Sequence, residues 1–227
     1  MKDAGVVRVR RSFVVVGLVL TVSVGLVSCG ADEAKEEEET FVGADEVCDG
    51  LFDGPLARRV EVVTGDTEFF ATGAKGKAMS DVVDALKRGY ESGRSWATGG
   101  DLCELDPKGG RLGEGAGIKF SMYAPQDVED AKGQAGTELY SMGKRSEVGE
   151  KSASLYLECI SPQVEGSEEV PLRIHGGFGH GESDAPDNRR FRNANMEILH
   201  AGALALVKEL DCKDRAGLPE TPVLEPK

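Results

Sequence analysis

"SASLYLECISPQVEGSEEVPLRIHGGF", residues 152–178, is the stretch on which the fold turns. Ala153, Leu155, Leu157 and Cys159 alternate with Ser154, Tyr156 and Glu158; after a polar turn, Val170, Leu172 and Ile174 alternate in the same way. Successive side chains of a strand point to opposite faces, so each run carries one apolar and one polar side. Two such runs around a turn spell an antiparallel hairpin lying half-buried on a core. His175 falls on the outward side with Arg173.

Residues 95–125 repeat the design. "SWATGGDLCELD" leads through the glycine-rich "PKGGRLGEGAG" into "IKFSMYAP", with Ile118, Phe120 and Met122 on one side. Beyond one cysteine in each hairpin the two do not match, so they do not read as a duplication. Upstream, "ADEVCDGLFDGPLARRVEVVTG" (44–65) reads as helical turns broken at Gly50 and Gly54-Pro55, then a helix of about ten residues that Gly65 ends. Val47, Leu51, Leu56, Val60 and Val63 should pack inward. "TEFFATG" suits a short strand, and "MSDVVDALKRGYESG" a helix with Ser80 as N-cap and Val82, Val83, Leu86 and Tyr90 on one side. Residues 124–150 are polar and glycine-containing and read as a mobile loop with one short strand at "ELYSM". "NRRFRNANMEILHAGALALVKELDC" (188–212) closes the chain with a long helix whose stripe is Met196, Leu199, Ala203, Leu206 and Leu210. The fold class expected is α+β: a mostly antiparallel sheet of about five strands, helices packed on one face, and two disulfides.

The first forty residues bear on location. Lys2, Arg8, Arg10 and Arg11 precede fifteen uncharged residues, Phe13 to Val27, which then close on small side chains. That is the three-part layout of a secretory signal, and the run is short for a membrane span. Arg10-Arg11 also suits twin-arginine export. Leu26-Val27-Ser28-Cys29 resembles the lipobox of bacterial lipoproteins, which implies cleavage before Cys29 and acylation of its thiol, with palmitate-type chains holding the protein on the membrane's extracytoplasmic face. The expected organisation is a signal over 1–28, an acidic flexible tether over 29–42, one globular domain over 43–215 and a disordered tail over 216–227.

Removing the signal's net +3 from the chain's −13 leaves about −16. Phosphate backbones are bound by clustered lysine and arginine, so nucleic acid is excluded as a partner. Without Cys29, five cysteines become four, an even number that in an exported chain reads as two disulfides. No C-x-x-C pair supports zinc. Three pairings are possible. Neighbouring hairpins would join Cys103 to Cys159, and a last helix beside the first would join Cys48 to Cys212.

The lipobox, "VCDGLFDG" (47–54), the strand cysteines and the closing "LALVKELDC" with "GLP" together resemble the small four-cysteine lipoproteins that actinobacteria such as streptomycetes carry on the membrane surface. That family brings no assigned activity, so no catalytic residue carries over.

One constellation could carry chemistry: His175, His180, Glu182 and Asp184, with Asp187 nearby, combine imidazoles and carboxylates as zinc and copper sites do. A strand end followed by a polar loop, with Asp187 or Asn188 capping the last helix, accounts for the same letters. His200, at the edge of the helical stripe, reads as a buried histidine bonded to backbone. Trp96 reads as core packing at a strand start, or as a platform for a ligand. Neither G-x-S-x-G nor a P-loop occurs. The expectation is a lipid-anchored, non-enzymatic binding or accessory domain, without cofactor, meeting an envelope protein or small ligand. The alternatives are a metal-binding protein or enzyme built on the His175/His180 loop, and a plain spacer.

Overall fold

The structure, a computed structural model, describes residues 39–71, 76–110, 115–129, 136–181 and 186–227. Cys29, Glu182 and Asp184 lie outside the described residues, as do the signal and most of the tether. The α+β class holds, with a six-stranded sheet where about five strands were expected.

The large sheet contains β3 (Thr98–Leu105), β4 (Ala116–Met122), β5 (Glu138–Tyr140), β6 (Arg145–Val148), β7 (Ser152–Cys159) and β8 (Leu172–His180), in the order β3-β4-β8-β7-β6-β5 and antiparallel throughout. The two hairpins meet through their returning strands, Ile118 opposite Phe178 and Phe120 opposite Gly176. A separate pair, β1 (Phe41–Val42) with β2 (Phe69–Phe70), stacks Phe41 on Phe70 with ring centroids 4.9 Å apart. Phe41 and Val42, assigned to the tether by sequence, are therefore part of the domain.

Alternation puts one face of the sheet into the core: Ile118, Phe120, Leu155, Leu157, Leu172, Ile174 and Phe178 are all buried. Val170 is not; it precedes Pro171 and the strand, and half of it is exposed. Three helices build this side of the domain: two lie on the sheet, and the first packs against the last. α1 (Pro55–Thr64) starts on proline and ends at Gly65, whose φ of 71° is the left-handed cap geometry glycine adopts without a Cβ clash. α2 (Met79–Glu91) lies on β3 and β4, burying Val82, Val83 and Leu86; its N-cap is Ala78, and Ser80 lies inside the first turn. The third of them, which follows the short α3 (Gln126–Glu129), is α4 (Arg189–Glu209). It crosses β7 and β8 and packs against α1. Its N-cap is Asn188, whose side-chain oxygen accepts from the Arg190 and Phe191 amides. The far end is closed by the β7–β8 turn: Gln163 donates to Glu209 O, and Ser161 donates to Leu210 O, satisfying carbonyls that have no partner within the helix.

The disulfides are Cys48–Cys103 and Cys159–Cys212, with Cα separations of 5.4 and 5.2 Å. This corrects the expected Cys103–Cys159 and Cys48–Cys212. β4 and β8 stand between β3 and β7, and three inter-strand steps of about 4.8 Å exceed what a disulfide spans. Each bridge instead ties a strand to a neighbouring segment: β3 to the turn before α1, and the end of β7 to the end of α4.

In two stretches expected to be loose, the described residues are packed on the domain. Within 124–150, β5 and β6 form a hairpin on the sheet's edge, with Tyr140 buried and donating to Asn193 Oδ1. Past Ala216, Leu218 is buried, Leu224 packs against the core, and Lys227 N donates to Leu139 O. Apolar anchors supplied by the rest of the fold hold these polar segments down.

Candidate functional site

The helices that lie on the large sheet, α2 and α4, cover one face, which leaves the other to be lined by whatever side chains point outward. Strand register arranges these in rows. Asp101, Lys119, Gly177 and Ser154 form one row, Ser121, His175, Tyr156 and Arg145 the next. A channel of about 700 Å³ runs over this face, bordered by Asp101, Glu104, Asp106, Lys119, Ser121 and His175.

Its floor is bare because β8 carries Gly177 and Gly179 on the outward side. Neither glycine is imposed by crowding: a β-carbon on Gly177 would meet nothing closer than His175 Cε1 at 3.6 Å, and on Gly179 nothing closer than Lys151 O at 3.9 Å. Gly176, on the inward side, is different. A β-carbon there would lie 2.8 Å from Phe120 Cε1 and 3.3 Å from Leu199 Cδ1. A strand interior loses stability by carrying glycine, and such glycines mark places where another backbone or a ligand comes close. Packing explains Gly176; it leaves Gly177 and Gly179 without a structural reason.

The channel's electrostatics are mostly acidic. Lys119 pairs with Asp101 at 2.9 Å, and that hydrogen bond holds the ammonium pKa above its usual value. His175 stacks on Tyr156 with centroids 4.7 Å apart, and Tyr156 meets the edge of Tyr123 at 5.2 Å. Burial lowers the pKa of His175 against the opposing pull of Asp127 and Glu147, so the imidazole is neutral at pH 7. Burial, with Glu158 adding to it, pushes Tyr123 up to about 12 despite Arg173. Both it and Tyr156, also raised by burial, are phenols that can donate at neutral pH.

The chain matches no protein-family model, no curated protein and no solved structure. Its chemistry is therefore read from its own geometry.

The structure does not bring the histidines of the sequence-derived metal set together. His175 and His180 are five residues apart on one strand, which alternation sends to opposite faces: His175 into the channel, His180 to the buried side with Phe178. Among the described residues no three His, Cys, Asp or Glu side chains are grouped to hold a metal. Asp187 instead forms an ion pair with Arg192 at 2.7 Å. His200 is buried and bonded to Pro219 O at 2.9 Å, its Nε2–H donating. Ser121 and His175 are cross-strand partners in the channel, a juxtaposition the sequence did not suggest, but no hydrogen bond joins them as nucleophile and base. Trp96 is not core; 60% of it is exposed. The "HGGFGH" letters held the channel's signal, since parity alone assigns Gly177 and Gly179 outward and Gly176 inward.

Proposed function

We propose that this chain is a lipid-anchored lipoprotein of the membrane's extracytoplasmic face, and that its domain is a non-enzymatic binding module receiving a ligand in the open-face channel. The observation that carries the binding reading is the pair of uncrowded glycines, Gly177 and Gly179, in a central strand that would be firmer without them. The anchor reading rests on the basic, apolar and Leu26-Val27-Ser28-Cys29 layout of the leader, and four cysteines paired within the chain suit an oxidising exterior. The resemblance to small four-cysteine actinobacterial lipoproteins belongs to the same proposal. Asp101, Glu104 and Asp106 along one side favour a polar ligand that presents a cationic or hydrogen-donating group.

Two experiments test this. Cys29→Ala should abolish metabolic labelling with palmitate; labelling that persists removes the anchor. For the channel, native protein purified from membranes is denatured and released small molecules are identified by mass spectrometry. A stoichiometric species from wild type that is missing from Gly177→Val supports the module. Its absence from wild type, or its equal recovery from the variant, counts against it. Covalent labelling of Ser121 by a fluorophosphonate would overturn the non-enzymatic reading in favour of a hydrolase.

A further inference from the structure

At the other end of β4 and β8 from the channel's glycines, the surface opens into a second cleft, of about 380 Å³, whose walls include Tyr90, Arg94, Met122, Tyr123, Val170 and Arg173. Tyr90 is fixed there, its hydroxyl donating to Val170 O at 2.7 Å. Two features of the cleft bear on what it could hold. It has two arginines and no carboxylate among its lining residues, in a chain whose net charge is −13. Neither arginine has an ion-pair partner among the described residues, whereas Arg59 and Arg145, which line two other clefts, each face a carboxylate. Glu158, opposite Arg173 across the strands, is taken by Lys144 at 3.1 Å.

The second feature is apolar. Trp96 follows Ser95, itself a lining residue, and is 60% exposed; Val170 is 50% exposed. An indole left in water, next along the chain from a cleft with two guanidinium groups that make no ion pair, combines a flat stacking surface with forked donors that match phosphate or carboxylate. One tryptophan and one valine offer too little apolar area to enter a bilayer, while Ser95 and the tyrosines can meet hydroxyl groups.

We propose that this cleft is a second binding site, for an anionic sugar: its phosphate or carboxylate is held by Arg94 and Arg173, and the face of its ring lies on Trp96. The site does not depend on the glycine channel being occupied.

Trp96 is the one tryptophan of the chain, so a ligand ring laid on it would change the protein's indole fluorescence. The full chain is titrated with glucose 6-phosphate and with glucuronate, and in parallel with glucose, inorganic phosphate and phosphatidylglycerol vesicles. A charged sugar should give a saturable change, with glucose and phosphate each at least about tenfold weaker. Arg94→Gln and Arg173→Gln should each weaken binding by about tenfold and leave the melting temperature unchanged, because neither removes an ion pair. No saturable response below about 10 mM overturns the proposal. So does an equal response to phosphate alone, a response to vesicles only, or wild-type binding by the double arginine variant.

Discussion

Two adjacent glycines of β8 should respond to the same substitution with opposite signs. Gly176→Ala places a methyl group 2.8 Å from the ring edge of Phe120, which is fully buried and pressed from behind by the core. Strand or helix must shift to admit it, at a cost of about 1–3 kcal/mol. Gly177→Ala places the same methyl on the open face, 3.6 Å from its nearest neighbour, in ordinary contact. Neither residue has a positive φ, so alanine adopts both conformations without backbone strain. At Gly177 what remains is the smaller entropy of the unfolded chain, a gain of about 0.4–1 kcal/mol. For a domain of this size each kcal/mol moves the melting temperature by about 2–4 °C, so Gly177→Ala should melt about 1–4 °C higher and Gly176→Ala about 2–12 °C lower. Scanning calorimetry with disulfides intact, supported by urea midpoints, measures both. If Gly177→Ala melts lower than wild type by as much as Gly176→Ala, the assignment of an open face is wrong, and with it the channel.

Peptide mapping under non-reducing conditions should recover Cys48 with Cys103 and Cys159 with Cys212, and a peptide joining Cys103 to Cys159 would contradict the strand order. Replacing either pair by serines should cost about 2–5 kcal/mol in the urea midpoint. His175 and His200 both have pKa values held below the ordinary 6.5, chiefly by burial, so between their folded values and 6.5 the unfolded chain binds more protons. Their contribution to stability is level above that window and falls as the pH drops through it; His175→Asn should shallow the fall, and stability rising on acidification from pH 7 to about 5.5 would refute it. Asn188→Ala removes the oxygen that caps two amides of α4 and should cost about 1 kcal/mol by the same urea assay, with Asn188→Ser retaining most of it.

The strands and helices that bury an uninterrupted face were legible in the sequence. Leu155, Leu157 and Ile174 alternate cleanly, and Met196 to Leu210 repeat at helical spacing, because a one-sided core imposes those periods. What was not legible is which strands are neighbours. β4 beside β8 rather than β3 beside β7 is decided by packing between hairpins, and the expected disulfides failed with that choice. β6 escaped notice because its buried positions are Ser146 and Val148, and Ser146 is tolerated inside only because its hydroxyl donates to Tyr140 O. The segment past Ala216 is rich in proline and charge, and only Leu218 and Leu224, seated on a surface made elsewhere, hold it. The site was half visible: the outward glycines follow from strand parity, but their freedom from crowding depends on α4 and Phe120 lying on the other side. Trp96 misled because a large aromatic at a strand start is more often buried than not.

The edges of the large sheet have a consequence for how copies of this protein would live side by side. Beside β3, Asp101 O accepts from Lys77 N, and Asp106 O from Phe70 N; beside β5, Leu139 O accepts from Lys227 N. Exposed strand edges recruit further strands, and crowding of copies drives such stacking. Segments remote in sequence thus lie along both borders and take up main-chain groups that a neighbouring molecule could otherwise pair with. Crowded copies would then stay dispersed, with the broad open face of each sheet free to meet solvent.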